Sequence, residues 1–237
     1  MIELITSYSL SKVPIITYDA LDAYAEAVVR DASPDAFISP RPIDAAWFIE
    51  FYLGLDVAYK RLSYDRMVLG MTAFERGYVK IIDEETGLPD YVFVDEGTVI
   101  IEPELTLQPN GARLRFTYMH EGSHWLIHRR AFSEDNPFGI VGKYENHSLA
   151  TKEGRKDYSG SKKENTDIER MERQADFLAS AILMPKSTLR MAYSDYFAFY
   201  CDKPRKLIRG VNAQDDLYAR QLPEYLQEFS KYQNRWR

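Results

Sequence analysis

Three of the four histidines in this chain of 237 residues fall between positions 120 and 128. They lie in the run Phe116-Thr-Tyr-Met-His120-Glu121-Gly-Ser-His124-Trp-Leu-Ile-His128. Asn110-Gly111 opens a helical pattern that extends to about Ala131, so the run sits within one helix. Helical spacing places His120 and His124 one turn apart on the same face, where two imidazoles can bite one metal ion. Glu121 is rotated by roughly 100° from His120, which sets it beside a bound metal and not on it. There it can hold a zinc-bound water and take its proton. A chain with this helix must fold so that another element supplies the remaining ligand.

A third protein ligand with one open position completes a catalytic zinc site. One common class places a histidine six residues after the second; that position is Arg130, so the class is excluded. His128 is one turn beyond His124. On a continuous helix its Cα lies about 6 Å along the axis from His124 and about 12 Å from His120, too far to close a compact tetrahedron with both. It reads as a residue behind the ligands, or as a capped or solvated histidine at the helix end. Glu172 is the better third ligand. It belongs to a helix predicted over Thr166 to Met184, with a capping-box pair Thr166 and Glu169 and an apolar stripe of Ile168, Met171, Ala175, Leu178 and Ile182. Asp176, four residues after Glu172 on the same face, is placed to accept the free N–H of a ligating imidazole. Glu169 is the rival ligand, but the position four residues on is Arg173.

The rest of the chain reads as an α+β domain. A helix is predicted over Thr17 to Ala32 and another over Ile43 to Leu53, with Trp47, Phe48, Phe51 and Tyr52 as core. Strand-like runs follow at Leu55 to Tyr59, Met67 to Phe74, Tyr78 to Ile82, Tyr91 to Val94 and Thr98 to Ile101. Short consecutive pieces of this kind predict a small, mostly antiparallel sheet packed on the helix that carries His120. Trp125 is expected to wedge that helix against the sheet. A polar stretch from about 132 to 165 is too long for an ordinary connection. Residues 1–185 then form one domain with that insertion, and residues 186–237 a helical C-terminal extension.

Net charge is −6. Such a chain lacks the positive field that drives non-specific phosphate binding, so a direct nucleic-acid partner is disfavoured. The single cysteine, Cys201, excludes an internal disulfide and cysteine-based zinc sites, and points to a reducing compartment, most simply the cytoplasm. There is no basic, apolar leader, and nothing approaches 18 uncharged apolar residues, so no membrane span is expected. Oligomeric state is not legible.

Two segments taken together, Arg115-Phe-Thr-x-x-His-Glu-x-x-His-x-x-x-His and Glu172-x-x-Ala175-Asp176-x-x-Ala-x-x-Ile-Leu183-Met184-Pro185, resemble the ImmA/IrrE metallopeptidases. These are bacterial and phage-associated zinc peptidases of the gluzincin type. Gly97-Thr-Val-Ile-Ile is similar to the family's strand before the active-site helix. The resemblance covers about residues 97 to 185 without the polar insertion. It implies a zincin-like α+β fold, a cytoplasmic endopeptidase, zinc held by His120, His124 and Glu172, and Glu121 as the catalytic base. It also implies a protein substrate, since characterised members act on helix-turn-helix repressors. The chain departs from the family in Gly122-Ser123, where a bulky residue and then Gly are usual, and in the 47 residues between His124 and Glu172. A helical Gly costs about 1 kcal/mol, so either the site is looser or the glycine admits a close neighbour.

Amide hydrolysis at such a site needs a donor for the developing oxyanion. His147, Tyr144 and Tyr118 are the candidates nearest in sequence. The alternative to an enzyme is a binding module in which zinc only braces two helices, with Asp135, Glu145 or His147 closing the fourth position. A repressor is disfavoured, because no helix-turn-helix pattern is visible and the basic cluster Lys203 to Arg209 reads as a solvated face or partner patch.

Overall fold

The computed structural model describes residues 2–107, 109–132, 148–152 and 167–201. In chain order the elements are β1 (Ser7–Tyr8), β2 (Pro14–Ile15), α1 (Tyr18–Ala32), α2 (Ala45–Trp47), β3 (Asp56–Tyr59), β4 (Val68–Ala73), β5 (Gly77–Ile82), β6 (Pro89–Val94), β7 (Thr98–Ile101), α3 (Gly111–His128), β8 (Ser148–Lys152), α4 (Asp167–Leu183) and α5 (Lys186–Cys201). The architecture is α+β.

The central sheet has the order β3-β7-β4-β8. Both pairings of β4 are antiparallel, but β3 runs parallel to β7, Asp56 opposite Thr98 through Tyr59 opposite Ile101. The expectation of a mostly antiparallel sheet therefore needs one amendment. The chain between β3 and β7 makes β4 and the β5–β6 hairpin before it returns, a long crossover of the kind a parallel pair requires. β8 was not foreseen. It lies inside the stretch read as a polar insertion, and its five residues carry no periodic signal of their own; pairing with β4 makes them a strand.

Side chains alternate across this sheet as pleating demands. Val99 and Ile101 of β7 join the large core under α3, while Ile100 joins Met71 and Ala73 of β4 in a smaller core beneath the hairpin. Gly70 and Thr72 of β4 face the helix. Helix α3 is thus enclosed, with the sheet on one side and α4 on the other, and every residue from Thr117 to Trp125 is buried. A helix buried all round has no polar face to give to water, which agrees with the apolar and small residues that flank its histidines. Trp125 lies under the sheet end, stacked near Phe74 and close to Gly97 at the start of β7.

Helix α1 starts where Thr17 caps it, the hydroxyl accepting from Ala20 N–H, and packs against α4. Over the segment predicted as a helix from Ile43 to Leu53, one turn of α2 passes into a π-helical turn, Phe48–Tyr52. The wider turn buries Phe48 and Ile49 together and leaves Trp47 and Phe51 on the outside, stacked on each other at 6.4 Å. Trp47 and Phe51 are therefore surface residues and not core. The first turn of α5 is tied to α1, where Ser187 donates both its N–H and its hydroxyl to Glu26. Thr166, residues 203–209 and the side chains of Phe197, Phe199 and Cys201 lie outside what is described.

Candidate metal centre

The face of α3 turned toward α4 carries His120 and His124. Their Nε2 atoms are 2.9 Å apart. Glu172, on α4, brings Oε2 to 3.7 Å from His120 Nε2 and Oε1 to 3.6 Å from His124 Nε2. Three ligands held at about 2.0–2.1 Å around a tetrahedral zinc would lie about 3.3 Å from one another; here one ligand atom from each of the three residues lies within 4.8 Å of the other two, and each imidazole nitrogen faces its own oxygen of Glu172. Among the described residues, this is the one buried group of three metal-ligating side chains that converge on a point.

The partners behind the two imidazoles differ. Asp176, one turn after Glu172, sets Oδ1 2.8 Å from His120 Nδ1. Burial opposes the charged form of His120; the Asp176 contact and the negative charges of Glu121, Glu172 and Asp176 outweigh it and raise its pKa. Behind His124 stands His128, with the two Nδ1 atoms 3.0 Å apart. His128 Nε2 lies 3.0 Å from Gln174 Oε1, and Gln174 Nε2 donates to the Pro14 carbonyl at 2.8 Å. His128 is wholly buried, and burial pushes its pKa down to about 3. It ends α3 but is not solvated; it stands behind a ligand.

Glu121 projects from α3 toward β4, wholly buried. Thr72 donates its hydroxyl to Glu121 Oε2 at 2.8 Å and approaches the Glu121 carbonyl at 3.2 Å. Glycine at position 70 makes room for this carboxylate: a Cβ there would stand 2.7 Å from Thr117 Cγ2 and 2.8 Å from Glu121 Oε1. Gly122 has a similar reason. A Cβ on it would meet Ile49 Cδ1 at 2.5 Å and Leu53 Cδ1 at 3.1 Å. The glycine admits a close neighbour, the π-helical turn.

Of the residues considered as oxyanion donors, Tyr118 shares a hydrogen bond with the Tyr59 hydroxyl of β3. Burial first, then this bond, raises its pKa. His147 and Tyr144 lie outside the described residues, as do Asp135 and Glu145. Glu169, the rival ligand, does not join the convergent group.

Four contributors were not singled out in the sequence: Gly70, Thr72, Gln174 and Pro14. Gln174 left a signal. It occupies a core-facing position of α4 between Met171 and Leu178, and a polar residue there needs a buried partner. Thr72 and Gly70 left none, since their role depends on strand and helix meeting across distant parts of the chain. Among the described residues no helix is long and apolar enough to cross a membrane. No family model, curated protein or solved structure matches the chain.

Proposed function

We propose that this chain is a zinc-dependent endopeptidase of zincin-like architecture, working in the cytoplasm on a protein substrate. The observation that carries the reading is the convergence of His120, His124 and Glu172 from two packed helices, one ligand atom of each within 4.8 Å of the other two. The motif resemblance to the ImmA/IrrE metallopeptidases supports it and makes a helix-turn-helix repressor the substrate to try. The single cysteine supports a reducing compartment.

His120, His124 and Glu172 would hold the ion, two imidazoles and one carboxylate being a donor set that suits zinc. Zinc bound there supplies acidification of a water and polarisation of the scissile carbonyl. Glu121 takes the proton of the attacking water and passes it to the leaving amine. Asp176 holds the His120 ring in place. One observation favours a second reading, a zinc-braced binding module: Glu121 is wholly buried and already engaged by Thr72.

Zinc titration of the metal-free protein, followed by incubation with repressors encoded beside its gene, tests the proposal. Glu121→Gln should keep zinc and lose roughly 10²- to 10⁴-fold in cleavage rate, the usual contribution of a general base. Zinc binding without cleavage by the unaltered protein would favour the binding module. Cleavage that survives Glu121→Gln removes Glu121 from the chemistry.

A further inference from the structure

The polar atoms behind His124 form a line through His128 and Gln174 to the Pro14 carbonyl, and its direction follows from the far end. The Pro14 carbonyl can only accept, so the Gln174 amide nitrogen faces it, at 2.8 Å. That leaves Gln174 Oε1 toward His128 Nε2, at 3.0 Å. An amide oxygen cannot donate, so the hydrogen of this pair is on His128 Nε2. Among the described residues, the polar atoms hydrogen-bonded to the His128 ring belong to His124 and Gln174, and neither is a carboxylate. A buried imidazolium facing them would have no counter-charge in contact, which favours the neutral ring with a single N–H. His128 Nδ1 is then a lone pair, and at 3.0 Å it accepts from His124 Nδ1–H. In the neutral ring that a metal ligand must be, the remaining nitrogen of His124, Nε2, is then a lone pair, and it is aimed between His120 Nε2 and Glu172.

We infer that His128 and Gln174 are positioning residues of the metal centre, which fix His124 as the Nδ1–H tautomer and so turn its Nε2 lone pair toward the ion. The inference rests on the metal reading above. It gives the centre two dissimilar supports: a carboxylate, Asp176, behind His120, and a neutral imidazole–amide line behind His124. A carboxylate raises the basicity of the imidazole it holds; a neutral imidazole orients its partner with less charge transfer. The line ends on a main-chain oxygen of β2, so the N-terminal hairpin takes part in setting a tautomer on α3.

The test uses the full chain, stripped of metal and reloaded with zinc, or with cobalt(II) as a spectroscopic probe. Nitrogen-15 correlation spectra of the zinc-loaded protein should show His124 as Nδ1–H and His128 as Nε2–H; this needs no substitution in the line. Gln174→Met, similar in size but without the acceptor, and His128→Phe should weaken zinc affinity roughly 10- to 100-fold and change the cobalt(II) absorption bands. Circular dichroism of each variant checks that the fold persists. A His128 found as Nδ1–H, or Gln174→Met and His128→Phe variants that are folded and bind zinc as the unaltered chain does, overturns the inference while leaving the metal reading intact. If His124→Ala does not reduce zinc affinity, the metal reading fails and the inference falls with it.

Discussion

Thr72 on β4 donates a 2.8 Å hydrogen bond to the carboxylate of Glu121, 49 positions later on α3. Both residues are wholly buried, so water does not replace the bond when it is lost. Thr72→Val should lower stability by about 1.5–3 kcal/mol, the range for a hydrogen bond to a charged group, and Thr72→Ser should recover most of it. Urea unfolding of the two variants decides the matter; equal midpoints would mean that the bond contributes nothing.

Gly122→Ala sets two effects against each other. Helix propensity gains up to about 1 kcal/mol, while a methyl group 2.5 Å from Ile49 Cδ1 overpacks a site that costs about 1–3 kcal/mol to disturb. Ile49 is wholly buried and has little room to retreat, so overpacking prevails and the single variant is destabilised by roughly 1 kcal/mol. Combining it with Ile49→Val removes the offending carbon. The double variant should be more stable than the two single effects sum to, a non-additivity measurable in a double-mutant cycle.

Glu172 and Asp176 share a helix face but should fail differently. Glu172→Ala removes a ligand and should abolish tight zinc binding. Asp176→Asn removes only the charge behind His120 Nδ1 and should weaken binding about 10- to 100-fold. Calorimetric titration with zinc separates the two; equal losses would make Asp176 a ligand in its own right or Glu172 a bystander.

Glu102, at the end of β7, supplies a pH-dependent prediction away from the centre. Burial raises its carboxyl pKa, against the opposing pull of the Leu62 N–H and the Arg66 and Arg61 charges. A raised folded pKa means that the folded state holds the proton more tightly than the unfolded one, so stability is highest below the ordinary glutamate pKa and declines as pH rises through the folded value. Glu102→Gln abolishes that decline. Its melting temperature should exceed that of the unaltered chain at pH 7, and the gap should close near pH 4. A gap that is constant across this range would refute the assignment.

Much of the centre was legible because helices write their geometry locally. His120, His124 and Glu121 are fixed relative to one another by one helical repeat, and Glu172 and Asp176 by another, so each half could be read from spacing alone. The halves were joined by the acid four residues after Glu172, which Glu169 lacks, and the resemblance then agreed with that choice. The strand runs were read to within two residues at either end, and Thr98–Ile101 without error. What escaped was non-local. β8 is a strand only because β4 offers it an open edge, and Trp47 and Phe51 turn outward because one wide turn shifts the helical register, a change that an apolar pattern does not announce.

The Pro14 carbonyl and the carboxylate of Glu172 come from opposite ends of the described domain, and this has a consequence for biosynthesis. A nascent chain exposes His120 and His124 first. At about 5–20 residues per second, a few seconds pass before Glu172 is made, and longer before it clears the ribosomal tunnel. Until then the two imidazoles form an incomplete pincer that grips cations weakly. On the metal reading, ion capture would therefore be deferred until α4 has docked, and a truncated translation product that stops short of this helix would lack the third ligand.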